Sequence, residues 1–245
     1  MLKKILKRIV YREKSDSEEY IRFLRKKGIE IGEDCTIYVP TKTFIDTQYP
    51  YMVKIGNHVK ITLGVIILTH DFSWTVLKNS KDAAYEGSIL GGSGPVIIGD
   101  NVFIGMNSII CRNVKIGDNV IIGAGSVVVK NCDSNSVYAG NPAKKIMSLD
   151  DYYRKRYARQ FDEAYTIFHY YHEKYQIIPP KTIFNEYFML FEDIESLRNS
   201  HAFVDKIELG EGHEYTYRYL KENQPQFQNY EEFIEACRKR EEEAL

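Results

Sequence analysis

A register that steps by six runs along the first half of the chain. It passes through Ile31, Ile37, Thr43, Tyr49, Ile55, Ile61 and Ile67. Four positions after each comes a second series, Cys35, Thr41, Thr47, Val53, Val59, Val65 and Asp71, small or β-branched until Asp71. A second run is cleaner: Ile98, Ile104, Ile110, Ile116, Ile122 and Val128, with partners Val102, Ser108, Val114, Val120, Ser126 and Cys132. Glycine often follows the first position, as at Gly99, Gly105, Gly117 and Gly123. A period of six is neither the 3.6 of a helix nor the alternation of an ordinary strand. It suits a short strand followed by a tight corner, with the large aliphatic pointing into a narrow prism and the small residue filling the space beside the corner. Such turns stack, each extending the core of its neighbour. The pattern predicts a mainly β protein built as a parallel β-helix.

The two runs are out of step. Ile98 follows Ile67 by 31 positions, which is not a multiple of six, so an insertion separates them. It opens in "ILTHDFSW", residues 67 to 74, and returns through Gly87, Gly91, Gly92 and Gly94. The predicted loop covers residues 71–95 within a β-helix of residues 29–147.

Both flanks read as helical. "SDSEEYIRFLRKKG" carries a capping-box pattern in Ser15 and Glu18, acids at its start, bases at its end and Gly28 to stop it. Upstream, Leu2, Ile5, Leu6, Ile9 and Val10 share one face opposite Lys3, Lys4, Lys7 and Arg8. Two readings fit residues 1–12: a lid on the open first coil, or a helix lying on a membrane surface. Residues 1–28 form the N-terminal helical cap. From Leu149 a stripe of Tyr153, Tyr157, Phe161, Tyr165, Phe168 and Tyr175 predicts a helix that Pro179 and Pro180 stop. Helical patterns resume at residues 192–203 and 230–244, giving an α-helical extension over 148–245. Its tyrosines suit packing on the prism or on another subunit, and stacking on sugar rings is the functional alternative. His169 and His172 lack a third partner in sequence and read as packed or solvated rather than metal-bound.

Composition narrows the function. A net charge of −1 gives no general attraction to nucleic acid or anionic membrane. No apolar run is long enough to span a bilayer. Cys35, Cys111, Cys132 and Cys237 are scattered with no C-x-x-C pair, which speaks against structural zinc and for a reducing cytoplasm.

"IGDNVFIGMNSIICRNVKIGDNVIIGAGSVVVKN", residues 98–131, resembles the hexapeptide-repeat acyltransferases. "AGNPAK" at 139–144 and "ILTHDFSW" followed by a loop are similar to the sugar O-acetyltransferases and xenobiotic acetyltransferases of that family, above all to enzymes of surface and capsular polysaccharide synthesis. The resemblance covers residues 29–147. It implies a left-handed β-helix, acetyl-CoA as co-substrate, no metal, and a homotrimer with active sites between subunits.

Acetyl transfer to a hydroxyl needs a base for the attacking oxygen, oxyanion stabilisation, and a slot that aligns the donor with the acceptor. His70 is the candidate base: it occupies the outward fourth position of its unit, at the break, and matches the family's catalytic histidine. His58 holds the same position in an unbroken repeat and reads as structural or exposed. Asp46, Asp71 and Trp74 are the candidate substrate-binding residues, Asp46 as an acceptor ligand and Trp74 as a shield or sugar platform. On the donor side the resemblance assigns the cofactor to Gly105, Gly123, Ala124, Gly125, Lys130 and Lys144. Val129 stands where the family often has Thr, which removes one hydroxyl contact.

The expected activity is therefore acetyl-CoA-dependent O-acetylation of a sugar. N-acetylation of an amino sugar, or acetylation of an antibiotic, uses the same base and slot. A carbonic anhydrase on the same prism needs three zinc histidines, and only His58 and His70 lie in the repeat. A non-catalytic scaffold would need neither His70 at the break nor the CoA-type tail.

Overall fold

The computed structural model describes residues 2–199, 201–209 and 212–243, with side chains from residue 6 onward except at 198 and 199. These form two compact units that meet in sequence between Tyr152 and Tyr153.

The first unit is a left-handed parallel β-helix with three sheet faces. One face stacks Glu30–Ile31, Val53–Ile55, Val96–Ile98 and Val114–Ile116. The next stacks Thr36–Ile37, Lys60–Ile61, Val102–Ile104, Val120–Ile122 and Ser136–Ala139, closed by the antiparallel strand Lys144–Ser148. The third stacks Phe44–Ile45, Ile66–Ile67, Ile109–Ile110 and Val127–Val128. The cleaner run behaves as its period requires: Ile98, Ile104, Ile110, Ile116, Ile122 and Val128 are all buried, and Val102, Ser108, Val114, Val120 and Ser126 are buried beside them. Asn101, Asn119 and Asn135 sit at left-handed corners, where asparagine is tolerated, and their side-chain amides bond in a ladder at 2.8 and 2.9 Å.

The first run needs correction. Ile45, not Thr43, pairs with Ile67 and fills the prism on the third face. Tyr49 is only partly buried and Thr41 is exposed. The cause is two short 3₁₀ turns, Pro40–Lys42 and Pro50–Met52, which lengthen the corners of the first coil. Proline favours such turns and removes an amide that a ladder would need. Near the other end the register slips again. Cys132 lies opposite Ile116, taking the inward place of a large residue, not the small one expected of it.

The N-terminal helix Ser17–Lys27 is capped by Asp16, whose carboxylate accepts the Glu19 amide at 2.9 Å, one residue on from the expected Ser15 cap. Gly28 ends it at φ +104°. Tyr20, Ile21 and Leu24 join the prism core, so this helix covers the first coil. The preceding helix Leu2–Tyr11 does not: Leu6, Ile9 and Val10 are exposed. The lid role read for residues 1–12 belongs to residues 17–27. Met1 and the side chains of residues 2–5 lie outside the described residues.

The second unit is helical, with Gln160–Tyr175, His201–Ile207, His213–Glu222 and Tyr230–Glu243. A helix Leu149–Ala158 leads into it. Phe168, Phe184, Phe203 and Phe233 are fully buried in its aromatic core. The expected tyrosine stripe is only partly core, since Tyr153, Tyr157 and Tyr175 are exposed. The helix expected over 192–203 is instead a 3₁₀ turn at Ser196–Asn199 followed by His201–Ile207, and His213–Glu222 was not anticipated. The helix expected over 230–244 is present as Tyr230–Glu243, and residue 244 lies outside the described residues. His169 and His172 each direct Nδ1 at the Glu241 carboxylate, at 2.9 and 3.0 Å. No helix among the described residues is long and apolar enough to cross a membrane.

Candidate active site

The hairpin that interrupts the repeat begins at His70. His70–Asp71 pairs antiparallel with Gly92–Ser93, so the histidine stands in the neck of the excursion. Just before it, Ile66–Ile67 lies beside Phe44–Ile45. That pairing brings Asp46, directly after its strand, under the start of the hairpin.

Asp46 is 2% exposed and has a full set of donors. Its Oδ2 accepts the Thr69 amide at 3.1 Å and the Thr69 hydroxyl at 2.5 Å, and lies 2.6 Å from His70 Nδ1. Its Oδ1 accepts the Gln48 amide at 2.9 Å. Burial alone would raise its pKa. The hydrogen bonds from Thr69, Gln48 and His70 outweigh it and hold the carboxyl below its ordinary value. With Asp46 ionised, Nδ1 is the donor in that contact, and in a neutral imidazole Nε2 is then the acceptor. The His70 side chain is 22% exposed, so it reaches solvent from a mostly covered position. Asp46, expected as an acceptor ligand, has both carboxylate oxygens engaged by Thr69, Gln48 and His70, and the contact it makes here is with His70.

Aromatic rings flank the imidazole. Tyr49 meets it edge-on at 5.9 Å and Phe72 at 6.4 Å. Trp74 packs on Phe72 at 5.2 Å, from the short helix Trp74–Lys78, and is one ring removed from His70. Asp71 accepts Ser73 through its amide and hydroxyl, and Arg112 Nε at 2.7 Å. The Ser73 and Arg112 hydrogen bonds hold its carboxyl at about 2. Its oxygens thus serve the hairpin and its tie to the next coil before any substrate.

A depression of about 450 Å³ runs beside His70, lined by Leu68, Asp71, Cys111, Arg112, Asn113 and Val129. Val129 gives its wall a methyl surface where a threonine would offer a hydroxyl. Lys130 follows at the same corner and is exposed. The other expected donor-side residues lie elsewhere. Gly123, Ala124 and Gly125 form the corner between Val120–Ile122 and Val127–Val128, whereas His70 stands at the corner after the third face. Lys144 pairs with Ala139 beside that first corner and is exposed. Gly105 is buried: a β-carbon there would come within 2.5 Å of the Ala124 amide nitrogen, so its glycine serves coil stacking. Gly125, at φ +67° with open space around it, is the one that bares backbone. One chain therefore brings His70, Asp46, Asp71 and Lys130 to one corner, and Gly123, Ala124, Gly125 and Lys144 to another.

Arg112, Thr69 and Tyr49 were not anticipated at the site. A signal exists for Arg112: it follows Ile110 by the same offset as Thr69 follows Ile67 and Lys130 follows Val128, so the register alone puts it in their row. Tyr49 had none, because the strict six-residue count buried it in the prism. Among the described residues no group of three or more His, Cys, Asp or Glu side chains is placed to hold a metal ion.

The profile of the bacterial transferase hexapeptide family (six repeats) matches residues 95–130. Protein CapG of Staphylococcus aureus is 39% identical over 155 residues, covering 63% of this chain and 83% of the relative. Among solved structures, a maltose O-acetyltransferase from Clostridium difficile 630 is 30% identical with a TM-score of 0.40, over 54% of this chain and 75% of its own. A hexapeptide-repeat acetyltransferase from Vibrio cholerae O1 biovar eltor, solved with acetyl coenzyme A, is 22% identical with a TM-score of 0.39, over 54% of this chain and 76% of its own.

Proposed function

Since the chain belongs to the hexapeptide-repeat acyltransferase family, we propose that it moves an acetyl group from acetyl-CoA to a hydroxyl of a sugar in a surface or capsular polysaccharide or its precursor. The observation that carries the reading is the His70–Asp46 contact of 2.6 Å at the rim of the hairpin. Acetyl-CoA supplies the acyl group as a thioester. His70 Nε2 takes the proton of the acceptor hydroxyl as that oxygen bonds to the thioester carbonyl carbon. Asp46 stabilises the imidazolium that forms and keeps the ring from turning. When the carbon–sulfur bond breaks, His70 returns the proton to the departing sulfur, and the base is regenerated.

The separation of the two corners supports an active site shared between copies of the chain, in a homotrimer, with His70 of one facing the Gly123–Gly125 corner and Lys144 of the next. Sedimentation of the full chain tests this. All four cysteines are free thiols, which fits a reducing cytoplasm.

The activity test is thiol release from acetyl-CoA with a panel of neutral sugars, amino sugars and hydroxylated antibiotics. Wild type is expected to turn over a neutral sugar, with the acetyl group appearing as an ester. His70→Ala is expected to lose about 10²- to 10⁴-fold. Unchanged turnover in that variant on a verified acceptor, or amide products only, would sink the reading.

A further inference from the structure

The second unit holds a cleft of about 470 Å³ that the acyl-transfer reading does not use. Its size falls in the range of small-molecule sites, about 300–1,000 Å³. Two tyrosine pairs build it. Tyr153 and Tyr157 are one helical turn apart in Leu149–Ala158, and Tyr215 and Tyr219 are one turn apart in His213–Glu222. This spacing sets each pair on one helix face. The pairs meet where the Tyr153 and Tyr219 hydroxyls lie 3.1 Å apart. That contact, first, and burial push the Tyr219 phenol up to about 12, so it stays neutral. Leu190 and Leu220 are buried at the floor.

The charge and the polar rim are informative. Among the described lining residues Arg156 is the cation and none is a carboxylate. Its guanidinium is held in a two-point contact by Glu163, at 2.6 and 2.8 Å, so the wall offers little net charge to an anion. Gln224 and Gln226 stand exposed at the rim, and among the described residues their amides have no hydrogen-bond partner. Tyr153, Tyr157 and Tyr215 are also exposed, Tyr215 at 68%. Tyrosine joins an apolar ring to a polar tip, and a free amide both donates and accepts. Together they match a ligand with apolar C–H faces and a rim of neutral hydroxyls. They do not match a nucleotide or an acidic peptide, which need unpaired cations.

We propose that this tyrosine-lined cleft of the C-terminal unit is a binding site for an uncharged carbohydrate. It stands on these residues and not on the assignment of His70. The geometry gives the rings to the sugar faces and the glutamines to its hydroxyls.

The test is calorimetric titration of the full chain, without acetyl-CoA, using maltotetraose, cellotetraose and chitotetraose as neutral probes and trigalacturonate as the anionic one. At least one neutral probe is expected to bind saturably in the millimolar range or tighter, and trigalacturonate is not. Tyr157→Ala and Tyr215→Ala should each weaken that binding about three- to tenfold. Both side chains are exposed, so unfolding temperatures should hold; Gln226→Ala, at the rim, gives a further check that does not touch the rings. His70→Ala should bind as wild type does, which separates this site from any acceptor held at the hairpin. The inference is overturned if no neutral probe saturates, if trigalacturonate binds best, or if the tyrosine variants bind like wild type.

Discussion

His70 Nδ1 and Asp46 Oδ2 lie 2.6 Å apart, although 24 positions separate them in the chain. The parallel pairing of Phe44–Ile45 with Ile66–Ile67 makes them neighbours. The carboxylate is buried and the imidazole reaches the surface.

Asp46→Asn keeps the shape and removes the charge. It is expected to lower kcat by about 10²- to 10⁴-fold, because the amide stabilises neither the right tautomer nor the imidazolium. KM for the acceptor should change little, since the Asp46 oxygens are engaged by Thr69, Gln48 and His70. Asp46→Ala also strands the buried Thr69 donors, at a cost of about 1–3 kcal/mol. Steady-state kinetics with a pH profile, beside denaturant unfolding, separates the two effects.

The Asp71 carboxyl, held at about 2 by Ser73 and Arg112 against an ordinary 3.8, has a defined pH signature. A depressed carboxyl favours the folded hairpin fully above 3.8, and that contribution is lost as pH falls through about 2. Carbon-detected NMR titration should find it there. In Arg112→Ala the value should rise while the Ser73 contacts remain; an unmoved titration would refute the ion pair.

Gly92→Ala should disturb the same tie without altering any charge. Its methyl would stand 2.7 Å from Asp71 Oδ2 and 3.1 Å from Arg112 Nη2. The expected result is an upward move of the Asp71 titration and faster amide exchange in the hairpin neck, measured by NMR, with the prism core unaffected.

If Lys144 meets a CoA phosphate, as the family resemblance implies, Lys144→Ala is expected to raise KM for acetyl-CoA about three- to tenfold with kcat nearly unchanged, because such a contact is made equally in ground and transition states. Raising the salt concentration should shrink the difference between variant and wild type. Equal KM values at low salt would remove Lys144 from the donor site.

The exposed Leu6, Ile9 and Val10 of the first helix carry the membrane-surface reading of residues 1–12. Co-sedimentation with anionic phosphatidylglycerol vesicles should be weak but present, and Ile9→Asp should abolish it. Identical sedimentation of the two proteins would leave that face without a lipid role.

The six-residue beat of residues 98–128 determined the prism by itself. A short strand with a tight corner has one way to hide an isoleucine at every sixth place. The same logic marked His70 at the break, because an insertion shows as a step that six does not divide. It failed between Ile37 and Ile55, where Ile45 comes eight positions after Ile37 and ten before Ile55. The extra residues of the two proline turns add up to one whole repeat, so the count closed while Thr43 and Tyr49 were misplaced. Only strand pairing, a relation between residues distant in sequence, decided that Ile45 fills the core, Asp46 lies under His70 and Tyr49 stands beside it. The tyrosine cleft is of the same kind. Each pair's helical spacing is local, but that two helices more than fifty residues apart in the chain bring Tyr153 and Tyr219 within 3.1 Å was decided by packing alone.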